Sequence, residues 1–305
     1  MTTIDEQKQN TLVRVNKTPI HIRREMIKYQ IWPNDRPHKS VALNLYIRTE
    51  KIEVGTWQLT PGAISEAADW HDWDEGYFIL DGLLTLHNPK TGQFVQAAKN
   101  DGMYIPAHAY HKGYNFSQNI MRALYVQTPS MSSGKNPDID FNSANMSIYK
   151  SNFQSLNPDQ IFKNNWTDLP CTTDRIGNYP VSGSMARLEP ILLYHITEGR
   201  KLINVHGGDH PMLVKFFISN DILHLGEFIL PSGGQGPRAS EADVHHGDCV
   251  LYIDKGPVVI FLPDTAEVFN VETEELLYLP EGTKYQLINY TDSTIKIIFS
   301  VSPEM

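Results

Sequence analysis

The stretch DWHDWDEGYFILDG, residues 69–82, and the stretch PAHAYHKGYN, residues 106–115, decide the fold. In the first, two residues with ligating side chains, Asp69 and His71, are followed four positions later by Glu75 and seven positions after that by Gly82. In the second, His111 stands five residues after a proline and four before Asn115. Carboxylate and imidazole groups at such fixed spacing indicate a site that binds a divalent metal.

Both stretches return in the second half of the chain. Asp243 and His245 repeat Asp69 and His71 at an offset of 174 residues, and Gly256, Pro263, Pro280 and Asn289 repeat Gly82, Pro89, Pro106 and Asn115 at the same offset. A constant offset indicates an internal duplication. Around these positions, short runs rich in Val, Ile, Tyr and Phe alternate with Gly, Pro, Asn and Asp, a pattern that predicts β-strands in a sandwich or barrel.

The two stretches resemble the two sequence motifs of the cupin superfamily, with Asp69 in place of the first motif's usual His. The resemblance covers about 220 of the 305 residues. It implies an all-β fold of two cupin barrels (double-stranded β-helices, or jelly rolls) in tandem with a long connector. We predict an N-terminal arm at 1–35, a barrel with a metal site at 36–130, a connector at 131–185, and a second barrel at 186–305 without a standard metal site.

The predicted metal ligands are Asp69, His71, Glu75 and His111. If residues 69–75 are extended, alternation places these side chains of the first motif on one face, where a cation would offset the cost of burying two carboxylates. Asp69 could instead be an acid or base beside a site of three ligands. Glu75, Tyr77 and Asp69 are the candidate catalytic residues, because Tyr77 lies two residues beyond Glu75 on the same face.

A ligand set without sulfur favours Fe(II) or Mn(II), with Zn, Co, Ni and Cu as further candidates. The resemblance to quercetinase-like and gentisate-dioxygenase-like proteins implies a dioxygenase acting on a small aromatic, enolic or dicarbonyl substrate. The alternatives are a non-redox isomerase, lyase, decarboxylase or hydrolase, and a bicupin that binds a ligand without catalysis.

In the second copy, Cys249 and Tyr285 stand where the first copy has Glu75 and His111, while Asp243 and His245 remain. This set favours a barrel retained for packing, with a second ligand pocket as the alternative.

Composition restricts the partners. The net charge of −9 and the lack of a basic run argue against nucleic acid and anionic membranes. Cysteine occurs only as Cys171 and Cys249, and the first ten residues lack an apolar core, which indicates the cytoplasm. We expect a small-molecule substrate and a homodimer or a higher homo-oligomer.

Overall fold

The computed structural model describes residues 18–31, 41–65, 68, 70–128, 176–208, 210–237 and 242–305. Within them the chain forms β-strands, two 3-10 turns and one α-helix of four residues, which confirms the all-β prediction. No helix in these ranges is long and apolar enough to span a membrane.

The strands of the first half end before the undescribed range 129–175. They are β1 (Ile20–Ile22), β2 (Lys28–Ile31), β3 (Val41–Arg48), β4 (Glu53–Leu59), β5 (Asp74–Asp81), β6 (Leu83–Asn88), β7 (Gln93–Ala98), β8 (Gly102–Ile105), β9 (Lys112–Tyr114) and β10 (Met121–Thr128), with a 3-10 turn at Arg24–Met26.

The second half begins with helix α1 (Gly183–Ala186) and contains a 3-10 turn at Glu198–Arg200. Its strands are β11 (Tyr194–Ile196), β12 (Leu202–His206), β13 (Met212–Ser219), β14 (His224–Leu230), β15 (Asp248–Lys255), β16 (Val258–Leu262), β17 (Glu267–Val271), β18 (Leu276–Leu279), β19 (Gln286–Ile288) and β20 (Ile295–Ser302).

Each barrel consists of a seven-stranded and a three-stranded antiparallel sheet. In the first barrel the orders are β11-β8-β5-β10-β4-β3-β2 and β7-β6-β9, and in the second they are β1-β18-β15-β20-β14-β13-β12 and β17-β16-β19. Strand β7 alternates buried and exposed residues because it has one covered face, whereas β5 is buried on both faces along nearly its whole length.

The two barrels exchange one strand each. Strand β1, at the N-terminus, pairs with β18, so that Ile20 lies opposite Tyr278. Strand β11 pairs with β8 of the first barrel, although its residues follow the connector in sequence. The exchange ties the barrels together through main-chain hydrogen bonds. The boundaries near residues 35, 130 and 185 stay predictions.

The seven-stranded sheets pack against each other through their outer faces. A Cβ atom at Gly76 would lie 2.8 Å from side-chain carbons of Ile218 and Leu225, and one at Gly102 would lie 2.8 Å from Phe217. These distances are too short for a real contact, so glycine lets the sheets approach here. The seam between the barrels is therefore a continuous apolar core.

The carboxylate of Asp74 is also buried in this seam. Asp74 is completely buried and accepts hydrogen bonds from Tyr104 Oη (2.7 Å), the Ala107 amide (2.9 Å) and Asn220 Nδ2 (3.1 Å). The Arg187 guanidinium adds two, from Nε at 2.9 Å and Nη2 at 2.6 Å. A buried carboxylate with this many donors joins both barrels at one point.

We predict that Arg187→Gln lowers the free energy of unfolding by about 2–4 kcal/mol, because it leaves the buried Asp74 carboxylate without its cation. Urea unfolding measures the loss. The matched control is Lys90→Gln, which removes an exposed ion pair with Glu189 and should cost less than about 1 kcal/mol. Equal losses in the two variants would contradict the role assigned to Arg187.

Candidate metal centre

Three of the four predicted ligands meet inside the first barrel. His71, Glu75 and His111 are all buried, and their ligating atoms lie within 4.8 Å of one another. Glu75 Oε2 is 3.4 Å from His111 Nε2 and 3.9 Å from His71 Nε2. The fourth predicted ligand, Asp69, lies outside the described residues, so its ligation stays a prediction.

A bend, rather than an extended strand, carries His71 to the site. Strand β5 begins at Asp74, and residues 72 and 73 form a bend before it. The alternation expected for residues 69–75 therefore holds only from Asp74 onward, where Glu75 and Tyr77 face the barrel interior. The main chain of His71 is fixed by the amide of His108, which donates to the His71 carbonyl at 2.7 Å.

His111 reaches the site from the second motif, just before β9. The motif's turn contains His108 with φ of 66° and is closed by the Ala109 amide, which donates to the Pro106 carbonyl at 3.0 Å. The Ala109 carbonyl lies 3.0 Å from His111 Nδ1. A carbonyl only accepts, so Nδ1 carries a proton, and Nε2 is the ring nitrogen that faces Glu75.

The Glu75 carboxylate is held at both oxygens. Tyr77 Oη donates to Oε2 at 2.9 Å, and Gln127 Nε2 donates to Oε1 at 2.7 Å. Gln127 is brought there by strand register, because β10 pairs with β5 so that Gln127 lies directly opposite Glu75. No sequence motif indicates Gln127, since its role depends on a pairing between strands that are distant in sequence.

His71 is held in its uncharged form. Its ring stacks on Trp73 with centroids 4.6 Å apart. Burial lowers the pKa of His71 to about 4, with Glu75 opposing the shift and His111 adding to it. A neutral imidazole is the form that ligates a metal ion.

The three side chains fit a divalent cation. A buried carboxylate oxygen faces two imidazole nitrogens, and a cation bound among these three groups would stabilise the arrangement. The surroundings also carry polar atoms without a protein partner in the described ranges: Gln127 Oε1 and Trp73 Nε1 are buried and form no hydrogen bond there. Unsatisfied buried groups of this kind are expected around a site whose ion and ligand complete the hydrogen bonding.

A second polar group lies deeper in the same barrel, and sequence analysis missed it. Glu53 is buried and accepts hydrogen bonds from Arg48 Nε at 2.5 Å and from Tyr125 Oη at 3.2 Å. Burial, together with Glu53, raises the pKa of Tyr125 well above its usual range. The barrel interior therefore holds a second carboxylate, that of Glu53, which is paired with the Arg48 guanidinium.

The corresponding positions of the second barrel form a different network. His245 Nε2 lies 2.8 Å from Tyr285 Oη, and Asp243 pairs with His206 Nε2 at 2.5 Å. Cys249 is a buried thiol whose pKa is raised by burial, with Asp243 contributing. Within the part of the chain that the structure describes, three metal-ligating groups come together only in the first barrel. A second barrel without a standard metal site stays a prediction.

The sequence matches no protein-family model and no curated protein, but the structure is similar to many solved structures. AerE from Microcystis aeruginosa is 13% identical, with a TM-score of 0.55 over 90% of this chain and 96% of that one. A Lactobacillus farciminis oxalate decarboxylase, solved as a formate complex, is 12% identical, with a TM-score of 0.57 over 95% and 87%. Protein Ylba from E. coli is 8% identical, with a TM-score of 0.58 over 99% and 97%.

Identities this low establish the fold and leave the reaction open. The duplicated motifs, the paired barrels and these structural neighbours agree with one another. The chain is therefore a bicupin in fold, two cupin barrels in tandem, with a buried His-Glu-His cluster in the first.

Proposed function

We propose that this protein is a metal-dependent enzyme that binds one divalent ion through His71, Glu75 and His111 and catalyses a non-redox reaction of the lyase or isomerase type. Its substrate is a small acid that chelates the ion through two oxygens. The observation that carries the proposal is the Glu75 carboxylate, buried within reach of two imidazoles and fixed by two further hydrogen bonds.

Mn(II) is the favoured ion. Two imidazoles with a carboxylate and no sulfur suit Mn(II), and Fe(II), Zn, Co, Ni and Cu remain further candidates. A solved structure of Bacillus subtilis oxalate decarboxylase with Mn(II) centres is 14% identical to this chain, with a TM-score of 0.56 over 100% of this chain and 84% of that one. This similarity in fold supports the choice of ion without fixing it.

Three protein ligands leave coordination positions on a six-coordinate ion for a bidentate substrate. When bound, the ion supplies Lewis acidity that polarises a substrate carbonyl or carboxylate. Asp69 would fill one of these positions or serve as an acid or base, as its place in the motif predicts.

The surrounding side chains orient the ligand and handle protons. Gln127 holds one oxygen of Glu75 and leaves the other toward the imidazoles, which fixes the carboxylate for ligation. The Tyr77 hydroxyl bonds the oxygen that faces both imidazoles, so it lies beside the site where a substrate oxygen would bind. We assign Tyr77 as the proton donor to the substrate oxygen bound there.

The similar structures and the charge of the metal-loaded site support the lyase or isomerase class. Several of the similar structures are oxalate decarboxylases, whose fold matches over most of both chains. One of them is described by proton-coupled electron transfer in that enzyme, so these neighbours support a lyase, while the non-redox step is our proposal. A dication held by Glu75 as its one carboxylate ligand carries a net positive charge, which favours an anionic chelating acid where Asp69 serves as an acid or base instead of a ligand. Decarboxylation or isomerisation of such an acid needs a polarised carbonyl and a positioned proton donor.

A dioxygenase, the first prediction from sequence, is the second candidate. The barrel interior includes Trp57 and Tyr125 as well as Tyr77, and this aromatic wall suits an aromatic or enolic substrate. The oxalate decarboxylases among the solved structures do not favour it.

The homo-oligomeric state and the cytoplasmic location stay predictions.

His111→Ala should abolish stoichiometric metal binding, since it removes one of three ligands. Elemental analysis of protein prepared with Mn(II) measures the content. The matched control is His108→Ala: this histidine is exposed, lies three residues away and pairs with Asp72 rather than with Glu75. Full metal content in His111→Ala would refute the site, and a wild-type protein that binds no divalent metal would favour the non-catalytic bicupin.

Tyr77→Phe should retain metal and lower kcat by about 10²-fold or more, because it removes the proposed proton donor while keeping the ring. Turnover is measured by NMR of substrate and product, with the best substrate from a panel of small carboxylic, 2-oxo and 2-hydroxy acids. Tyr125→Phe is the control, since its hydroxyl bonds Glu53 rather than Glu75. A similar loss of kcat in both variants would argue against the assignment to Tyr77.

The metal-loaded enzyme should turn over its substrate at the same rate under strict anaerobiosis, because the proposed reaction uses no O2. Parallel assays in air and in a glove box, with ¹⁸O2 in a third, measure the dependence. Loss of turnover without O2, together with ¹⁸O in the product, would establish the dioxygenase in place of the lyase or isomerase.

A further inference from the structure

A recess lies at the seam between the barrels, on the face of the first sheet that points away from the metal centre. Its volume is about 130 Å³, far above the roughly 10–15 Å³ that a water molecule needs. On β4, Thr56 lines the recess, while its neighbour Trp57 belongs to the interior core. The residues that matter for binding are Arg24, Asn44, Tyr46, Thr56, Arg122 and Glu274.

The charges of the wall favour an anion. Arg122 Nη2 lies 2.5 Å from Glu274 Oε1, and Arg24 Nη2 lies 3.7 Å from Glu274 Oε2. Arg24 also donates to the carbonyl of Thr273, which anchors it to the second barrel. Two guanidinium groups share one carboxylate, so the wall carries one net positive charge, and the planar guanidinium is well suited to a second carboxylate.

One buried polar group of the wall, the Asn44 side-chain oxygen, lacks a hydrogen-bond donor. Asn44 is 6% exposed, and its Nδ2 donates to Thr56 Oγ1 at 3.1 Å. Its Oδ1 is buried and accepts no hydrogen bond from any residue in the described ranges. Buried acceptors in native proteins are nearly always paired, so a donor on a bound molecule is expected here.

Tyr46 adds a hydroxyl group to the same wall. Burial, with Glu274 contributing, raises the pKa of Tyr46 to about 12, so the hydroxyl keeps its proton at neutral pH. The wall thus combines two guanidinium donors suited to a carboxylate, Arg24 and Arg122, with Asn44 Oδ1 as an acceptor for a hydroxyl and the protonated hydroxyl of Tyr46.

From these groups we propose that the seam recess is a second small-molecule site, separate from the metal centre, which binds a small 2-hydroxycarboxylate. Its carboxylate pairs with Arg122 and Arg24, and its hydroxyl donates to Asn44 Oδ1. The second barrel contributes Glu274, which pairs with both arginines that would bind the carboxylate. The proposal does not depend on the reaction at the metal centre.

The test uses the full chain and L-lactate as the probe, with propionate as the analogue that lacks the hydroxyl. Ligand-observed NMR titrations are run on protein treated with a chelator and on His111→Ala, so that chelation at the metal centre does not contribute. Lactate should bind saturably in both, and more tightly than propionate. Arg122→Gln should raise the Kd of lactate about tenfold, since a charged hydrogen-bond donor is lost.

Two further variants keep the test decisive. Arg24→Gln removes the more exposed guanidinium and should weaken lactate several-fold even if Arg122→Gln fails to fold. Lys90→Gln is the charge-matched control, because Lys90 does not line the recess, and it should leave the Kd unchanged. The proposal would be overturned by absence of saturable lactate binding or by equal Kd values for lactate and propionate. It would also be overturned by equal Kd values in the arginine variants and the control, or by loss of binding in His111→Ala.

Discussion

The arrangement of the molecule depends on one strand, β5, that buries two adjacent carboxylates on opposite faces. Asp74 points into the seam between the barrels and Glu75 into the interior of the first barrel. Each charge carries a large desolvation cost that only a specific set of partners offsets. For Asp74 the partners are Arg187 and Asn220, which come from the second half of the chain. The position of Glu75, one of the predicted metal ligands, is therefore fixed through β5 by contacts with the other barrel.

Glu75 has a different set of partners, and the difference indicates function. The hydrogen bonds from Tyr77 and Gln127 come from neutral groups, and burial keeps the nearby His71 imidazole uncharged. Asp74 is paired with an arginine, whereas no lysine or arginine among the described residues forms an ion pair with Glu75. A divalent ion is the partner that the geometry and the donor set fit.

Much of the fold was predictable because the repeated residues perform the same local task twice. Asn115 Nδ2 donates to the carbonyls of Leu59 and Asn119, and Asn289 Nδ2 donates to those of Leu230 and Ser293. Such local tasks leave a constant offset in sequence. The role of Gln127 and the exchange of β1 and β11 leave none, because they depend on register and on pairing between distant segments. His71 lies beside Glu75 and His111, but a bend brings it there in place of the alternation that we predicted from an extended strand.

The polar groups inside the two barrels differ, and the difference begins at the position of Glu75 in the first barrel and Cys249 in the second. Where the first barrel buries Glu75, the second has Cys249, whose thiol stays protonated because burial raises its pKa. His245 is paired with the Tyr285 hydroxyl, which stands where the first barrel has His111, and the Asp243 carboxylate is paired with His206. The polar groups of the second barrel are therefore bonded to one another, whereas the Glu75 carboxylate of the first barrel faces two imidazoles. This difference in pairing is the physical basis for predicting a metal site in the first barrel and none of the standard kind in the second.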